Sequence, residues 1–425
     1  MSAPDTSDLR TPGFLLNARQ LILIFAIALA ARAGWGVVHF SRTADPTTLE
    51  FPDEMDYWTL AGSLARGEGL VGEHGFRALR MPLYPGFLSL FARFDRGVVM
   101  AKIAQWPIGA LAAVLIAMLG ARVGGRAVGL LAGLFVACDP FLVFFSSLLL
   151  METAFITVLC GLWLAGWGLL DRTAPASAVR WLPIALLAAL CVYVRESSLV
   201  LVTVWTAFLV IRRRFERSAV TGGVLVLVVV VVSLLPWAVR NERVTDHFCW
   251  LTHRGGISLY DGVGPQATGA GNLGAIKMTE AVRDLDEAAW NRYFWHKSLE
   301  SIRSDPLRIL GLAGVKMARM WNPVPNVDTY QSGFIRFISA AWMLPLYALA
   351  VFGAVRLYRR NRGAVVALLL PAVCLLALHA VFVGSVRYRL GAMPMVEVLA
   401  AFGCVALLTR RRGSADSAVG SPPGP

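Results

Sequence analysis

Apolar runs of about twenty residues recur along this 425-residue chain, separated by short loops rich in arginine. No other feature narrows the possible folds as far. A bilayer offers no hydrogen-bond partners, so a spanning segment must be a helix or part of a closed barrel, and runs of this length are helices. The composition agrees, at 57% hydrophobic and 16% charged residues, well below the quarter charged of soluble domains. The chain is therefore an all-α, polytopic membrane protein.

Its net charge of +13 does not point to nucleic acid. The basic residues concentrate in short loops between apolar runs, which is the positive-inside pattern, and no separate basic face with interleaved aromatics stands out. Of the six cysteines, Cys138, Cys160, Cys191, Cys374 and Cys404 lie in or at the ends of apolar runs, and Cys249 has no obvious partner. None has metal-ligand spacing or belongs to a disulfide framework, so they read as small buried hydrophobes.

Taken in order, residues 1–17 form a polar cytoplasmic tail, and a transmembrane unit follows over 18–412. The first run, about 21–40, follows Arg10 and Arg19, which keeps the N-terminus inside. A cleaved signal peptide is the rival reading, and both leave the next loop outside. Arg32 within this run is expected to face the protein interior or snorkel. Further spans are expected at about 98–119, 127–145, 148–170, 181–194, 197–211, 220–239, 334–355, 364–383 and 391–408, about ten crossings in all. The loops at about 41–97 and 240–332 then lie outside, each with interfacial helices. The second carries eleven Lys/Arg against ten Asp/Glu, unlike the basic inner loops. Within it, 280–320 is expected to be helical, with Ile309–Met320 at the interface or re-entering. The tail 413–425 is rich in Ser, Pro and Gly and is expected to be disordered and cytoplasmic.

The longest polar interruption in the first half is Pro52–Gly86. Pro52 suits a first helical position, and the acids behind it favour the positive end of the helix dipole. On that helix Asp53, Asp56 and Tyr57 share a face while Glu54 is turned roughly 100° away. Few ionisable groups lie in or at the mouths of spans: Arg32, Lys102, Asp139, Glu152, Arg195, Glu196, Arg387, Arg389 and Glu397. Each costs roughly 2.5–3.5 kcal/mol at a bilayer centre on insertion scales, which invites a functional explanation. Six of them (Asp139, Glu152, Arg195, Glu196, Arg387 and Arg389) fall toward the external side. With Asp53 and Glu54 they make one candidate site, suited to a ligand with an anionic group beside a hydroxyl that must lose a proton.

These residues resemble the integral-membrane glycosyltransferases of the GT-C superfamily, in the bacterial branch related to protein O-mannosyltransferases and lipid A aminoarabinose transferases. The resemblance rests on Asp53-Glu54-x-x-Tyr57, on Arg80-Met81-Pro82-Leu83-Tyr84-Pro85, on Glu152 at the mouth of the fourth span, on Pro236-Trp237-x-x-Arg240-Asn241, and on Arg387-Tyr388-Arg389. It implies transfer of a sugar from a polyprenyl-phosphate-linked donor to an acceptor hydroxyl on a glycan, lipid or protein, at the external or periplasmic face of the inner or plasma membrane. Asp53 becomes the general base, with Glu54 orienting it or touching the acceptor. Arg387 and Arg389, then Arg195 and Arg240, become the cations for the leaving phosphate. Tyr57, Arg80, Tyr84, Asn241 and Tyr388 become substrate contacts. Glu152 becomes a sugar contact or, with Asp53, a ligand of a divalent metal ion. A transporter or flippase of lipid-linked sugars and a catalytically silent membrane scaffold are the alternatives.

Overall fold

The computed structural model describes residues 16–43, 45–72, 75–171, 177–271, 282 and 285–419. In chain order the helices are α1 (Ala18–Arg42), α2 (Pro52–Ala65) and α3 (Leu83–Ser89) in the first long loop, then α4 (Gly97–Gly124), α5 (Arg126–Cys138), α6 (Pro140–Phe145), α7 (Glu152–Trp167), α8 (Ala178–Val194), α9 (Ser198–Arg212) and α10 (Arg217–Thr245). The second long loop contributes α11 (Gly255–Val263), α12 (Glu287–Ser304) and α13 (Pro306–Met320). The chain closes with α14 (Gly333–Tyr358), α15 (Arg362–Val381), the single turn α16 (Val386–Arg389) and α17 (Met393–Val419). Among the described residues α1, α4, α10, α14 and α15 are long and apolar enough to cross a bilayer. Shorter apolar helices α5, α7, α8, α9 and the first part of α17 complete the set, so each expected crossing has its helix.

Three stretches depart from expectation. The third span does not run to Phe145, because Asp139 and Pro140 break it. Asp139 caps α6 by accepting from the amides of Phe141 and Leu142 at 2.8 and 2.9 Å, and Pro140 needs no amide partner at the first helical position. The fourth span starts only at Glu152, after a turn through Ser147 to Met151. The helical stretch expected over 280–320 is two helices, since Asp305 caps α13 through the Arg308 amide and Pro306 opens it. Part of that stretch, 280–281 and 283–284, lies outside the described residues, as do 1–15 and 420–425. Between 413 and 419, where a disordered tail was expected, α17 simply continues.

One core runs through the bundle. Trp163 on α7 stacks on Trp205 of α9 at 4.4 Å and donates its ring N–H to the Ala367 carbonyl of α15, joining three helices. Arg32 is buried on α1 and bonds the carbonyls of Ala28 and Ala137, so it faces the interior. α14 crosses α17 at close range. A methyl group on Gly353 would run into the Leu399 carbonyl, and one on Gly403 into that of Leu349. Close backbone approach through small residues is the usual way membrane helices associate.

α7 also fixes which span ends belong together. Glu152 in its first turn meets Arg387, while the carbonyl of Leu164 near its last turn accepts from Arg122 at 3.0 Å. The acidic loop and the arginine-marked ends therefore stand at opposite ends of the bundle. At the acidic end the two long loops are laced together. Glu287 in the first turn of α12 accepts from the amides of Arg77 and Ala78, and His253 donates its amide to the Ala78 carbonyl. A small second core of Ile257, Val282, Trp290 and Phe294 holds α11 on α12.

The Gly353–Gly403 crossing makes a specific prediction. Gly403→Ala lowers the thermal unfolding midpoint of the purified protein, by the equivalent of about 1–3 kcal/mol of overpacking. Gly34→Ala, on a face of α1 with nothing within 4 Å, leaves it unchanged. Equal midpoints for the two variants would contradict the close approach.

Candidate active site

Asp53 sits in the first turn of α2, and each of its oxygens is taken by a different guanidinium. Oδ1 accepts from Arg80 Nη2 at 2.5 Å and Oδ2 from Arg387 Nη1 at 2.5 Å, the latter 334 residues away in the chain. Arg254 stands behind them, 3.6 Å from Asp53 Oδ1 and 3.7 Å from Asp56 Oδ2. The network extends both ways. Arg80 Nε donates to Asp56 at 2.7 Å, and Arg387 Nε donates to Glu152 Oε1 at 2.5 Å. Three carboxylates and three guanidiniums thus alternate. Burial works against the charge on Asp53, but Arg80, Arg387 and Arg254 outweigh it and hold the carboxylate well below its usual range.

The cluster borders one cavity of about 1430 Å³. Asp53, Arg80, Arg254 and Arg387 line it, joined by Arg195, Glu196, His379 and Tyr388. The lining also has a large apolar share, with Trp35, Phe141, Phe144, Phe334, Ile335 and Ile338 from α1, α6 and the start of α14. Arg195 is 5% exposed, and among the described residues no carboxylate lies within ion-pair reach of it. Its Nε donates to Ser197 Oγ at 2.9 Å, and its Nη2 lies 3.4 Å from His379 Nε2. His379 in turn stacks on Tyr388 at 3.9 Å, while the guanidinium packs over the rings of Phe155 and Tyr388. A buried guanidinium facing a cavity without an acid partner is ready for an anion.

Several expected site residues are placed elsewhere. Glu54 is fully buried and points away from Asp53. It accepts from the amides of Glu50, Phe51 and Leu149 at 2.9, 3.1 and 2.7 Å, so it caps α2 and anchors it to the turn before α7. Arg389 is buried beneath the cavity, donating to the carbonyls of Met320 and Asn322 and covering the ring of Phe141. Tyr57 and Tyr84 form an edge-to-face pair behind the acids and do not wall the cavity. Tyr57 supports the Arg80 guanidinium 4.7 Å above its ring, and Tyr84 donates to Gln105 at 2.9 Å. Arg240 and Asn241 hold backbone instead, through the carbonyls of Arg77, Cys249 and Leu251. The early carboxylates and the late arginine pair therefore converge through Arg387 alone.

The donor set at Asp53 and Glu152 does not fit a divalent cation. Both Asp53 oxygens and one Glu152 oxygen already accept from guanidiniums, and an ion between them would sit against Arg387. Among the described residues no group of three or more His, Cys, Asp or Glu side chains could hold a metal. Two groups at the site had no sequence signal: Arg254 opens a glycine-rich loop, and His379 lies inside an apolar run.

No family model and no curated protein matches the chain. Among solved structures it is similar to the archaeal oligosaccharyltransferase AglB from Archaeoglobus fulgidus, both in complex with an inhibitory peptide and a dolichol-phosphate (TM-score 0.56, 12% identity) and in the apo form (TM-score 0.57, 13% identity). Each superposition covers 96% of this chain and 52% of that one, so the chain spans about half the length of AglB. ArnT from Cupriavidus metallidurans bound to undecaprenyl phosphate also matches, at 16% identity over 92% of this chain and 78% of that chain. Its TM-score of 0.40 is too low to carry weight. The AglB likeness shows the fold alone: an all-helical, polytopic membrane protein.

The caged aspartate predicts a pH signature. Because the folded-state value of Asp53 is depressed, its contribution to stability is fully present above the ordinary value of 3.8 and is lost as pH falls through the folded value. The difference in unfolding midpoint between wild type and Asp53→Asn is therefore flat from about pH 5 to 8 and closes only in stronger acid. A difference that closes near neutrality would contradict the ion-paired geometry.

Proposed function

We propose that this protein is a membrane glycosyltransferase that moves a sugar from a polyprenyl-phosphate-linked donor to an acceptor hydroxyl. The observation that carries this reading is the cavity itself. Its lining combines aromatic and aliphatic side chains with an aspartate joined to guanidiniums that suit a phosphate. An amphiphile with an anionic head matches both kinds of lining. The site is taken to face the exterior or periplasm of the inner or plasma membrane.

In this reading the donor's phosphate lies against Arg387 and Arg195, whose geometry suits bidentate contact with phosphate oxygens. His379 and Tyr388 hold Arg195 in place. The acceptor hydroxyl approaches Asp53, which takes its proton as the oxygen bonds to the anomeric carbon. The bond from that carbon to the phosphate oxygen breaks, and the lipid phosphate leaves as an anion. It needs cationic neighbours more than a proton, because such an oxygen is already weakly basic. A base held this far below its usual range is weak. It suits a reaction in which the hydroxyl gives up its proton late, once the new bond is largely formed. Arg80, held by Asp56, orients Asp53, and Glu152 fixes Arg387. Glu54 serves the scaffold. Thr252, Ser258 and Asp261 line the same cavity, where the acceptor glycan, lipid or protein would enter.

Two variants test the assignment in an assay with labelled polyprenyl-phosphate sugar. Asp53→Asn lowers the transfer rate about 10²–10⁴-fold, the usual contribution of a positioned base, while the protein still folds. Near-normal transfer in a folded variant would refute the base. Arg387→Ala weakens donor use about 10–100-fold, the worth of a charge-assisted hydrogen bond. Unchanged donor use would move the phosphate site elsewhere.

A further inference from the structure

The same geometry that identifies Asp53 also blocks it. Both carboxylate oxygens already accept from guanidiniums, so in this state neither is open to an acceptor hydroxyl. The two holders are anchored alike: each is tied at Nε to a second acid, Arg80 to Asp56 and Arg387 to Glu152, and each reaches Asp53 through a terminal nitrogen. They differ in their surroundings. Arg80 is 8% exposed in its side chain, lies over the Tyr57 ring and has Arg254 as its cationic neighbour at both of its acids. Arg387 is 15% exposed and lies over the Tyr388 ring, which it shares with Arg195, a cation with no described acid partner. Both Arg387 and Arg195 line the cavity, so an anion held by Arg195 meets Arg387 first.

We infer that the phosphate of a lipid-linked donor takes the Nη end of Arg387 from Asp53, so that Asp53 Oδ2 is released as a base only when donor is bound. Glu152 keeps the arginine in the site during the exchange, and Arg80 keeps Asp53 oriented through Oδ1. The exchange swaps one carboxylate for one phosphate oxygen on the same guanidinium, so no net charge enters or leaves the cluster apart from the donor's own. Binding is therefore ordered, donor first and acceptor second. This rests on the transferase reading above and adds to it the way the site is switched on.

The test measures binding of undecaprenyl phosphate to the purified full chain in nanodiscs. Asp53→Asn removes the competitor for Arg387, and affinity rises about tenfold or more, the scale of one charge-assisted hydrogen bond. Asp56→Asn removes the same charge from the same cluster but leaves Arg387 on Asp53, and affinity changes by no more than about threefold, the general electrostatic effect. Equal changes in the two variants would overturn the exchange while leaving the transferase reading standing. A wild-type protein that does not bind the lipid at all would overturn both. If Asp53→Asn fails to fold, the wild type still decides. Water-soluble carbodiimide labelling of Asp53, read by mass spectrometry, increases when undecaprenyl phosphate is added. Labelling that stays flat or falls would overturn the exchange.

Discussion

A carboxylate withdrawn from water is stable only if cations replace the water, and Asp53 meets that condition with side chains from three separate regions. Arg80 comes from the loop before α3, Arg254 from the residue before α11, and Arg387 from the turn between the last two spans. Much of the architecture of the two long loops serves this convergence. Glu54 anchors the start of α2 to the turn before α7, and Glu287 ties α12 to the loop that carries Arg80. Ser385 caps α16, and Asn326 accepts from the amide of Val386, which aims Arg387 at the acids. Loss of any one cation leaves the other two beside the acids but unbalances the cluster, with three carboxylates against two guanidiniums.

Much of this was legible in the sequence, because membrane insertion leaves a strong imprint. Hydrophobic runs and arginine placement located the spans, and the unusual charges near their outer ends pointed to the polar chamber. Helical spacing placed Asp53 and Asp56 on one face and turned Glu54 away, and the structure shows why: Glu54 reaches three backbone amides on the other side. Motif position alone did not separate ligand-facing residues from structural ones. Arg387 and Arg389 are two residues apart on a single turn, so one faces the acids while the other drops to the carbonyls of Met320 and Asn322. Arg240, Tyr57 and Tyr84 sit in motifs near the site yet support it from behind. Arg254 and His379 reach the cavity only through tertiary packing, which leaves no periodic trace.

The mixed lining of the cavity is itself informative. Aromatic and aliphatic side chains from α1, α6 and α14 share one cavity with paired charges around Asp53, a combination that suits an amphiphile with an anionic head. Arg195 is a buried cation of this cavity whose charge no described carboxylate balances, and Arg387, like Arg80, is shared between two acids. A phosphate added there would improve the balance at Arg195 while competing for Arg387. Affinity and activation would then come from different arginines.

The most direct test is an experimental structure of the full chain with undecaprenyl phosphate bound. The account predicts head-group density within hydrogen-bond reach of Arg387 and Arg195, with the lipid chain running along the apolar side chains of the cavity. A head group that lies away from both arginines, or at the opposite end of the bundle, would contradict it.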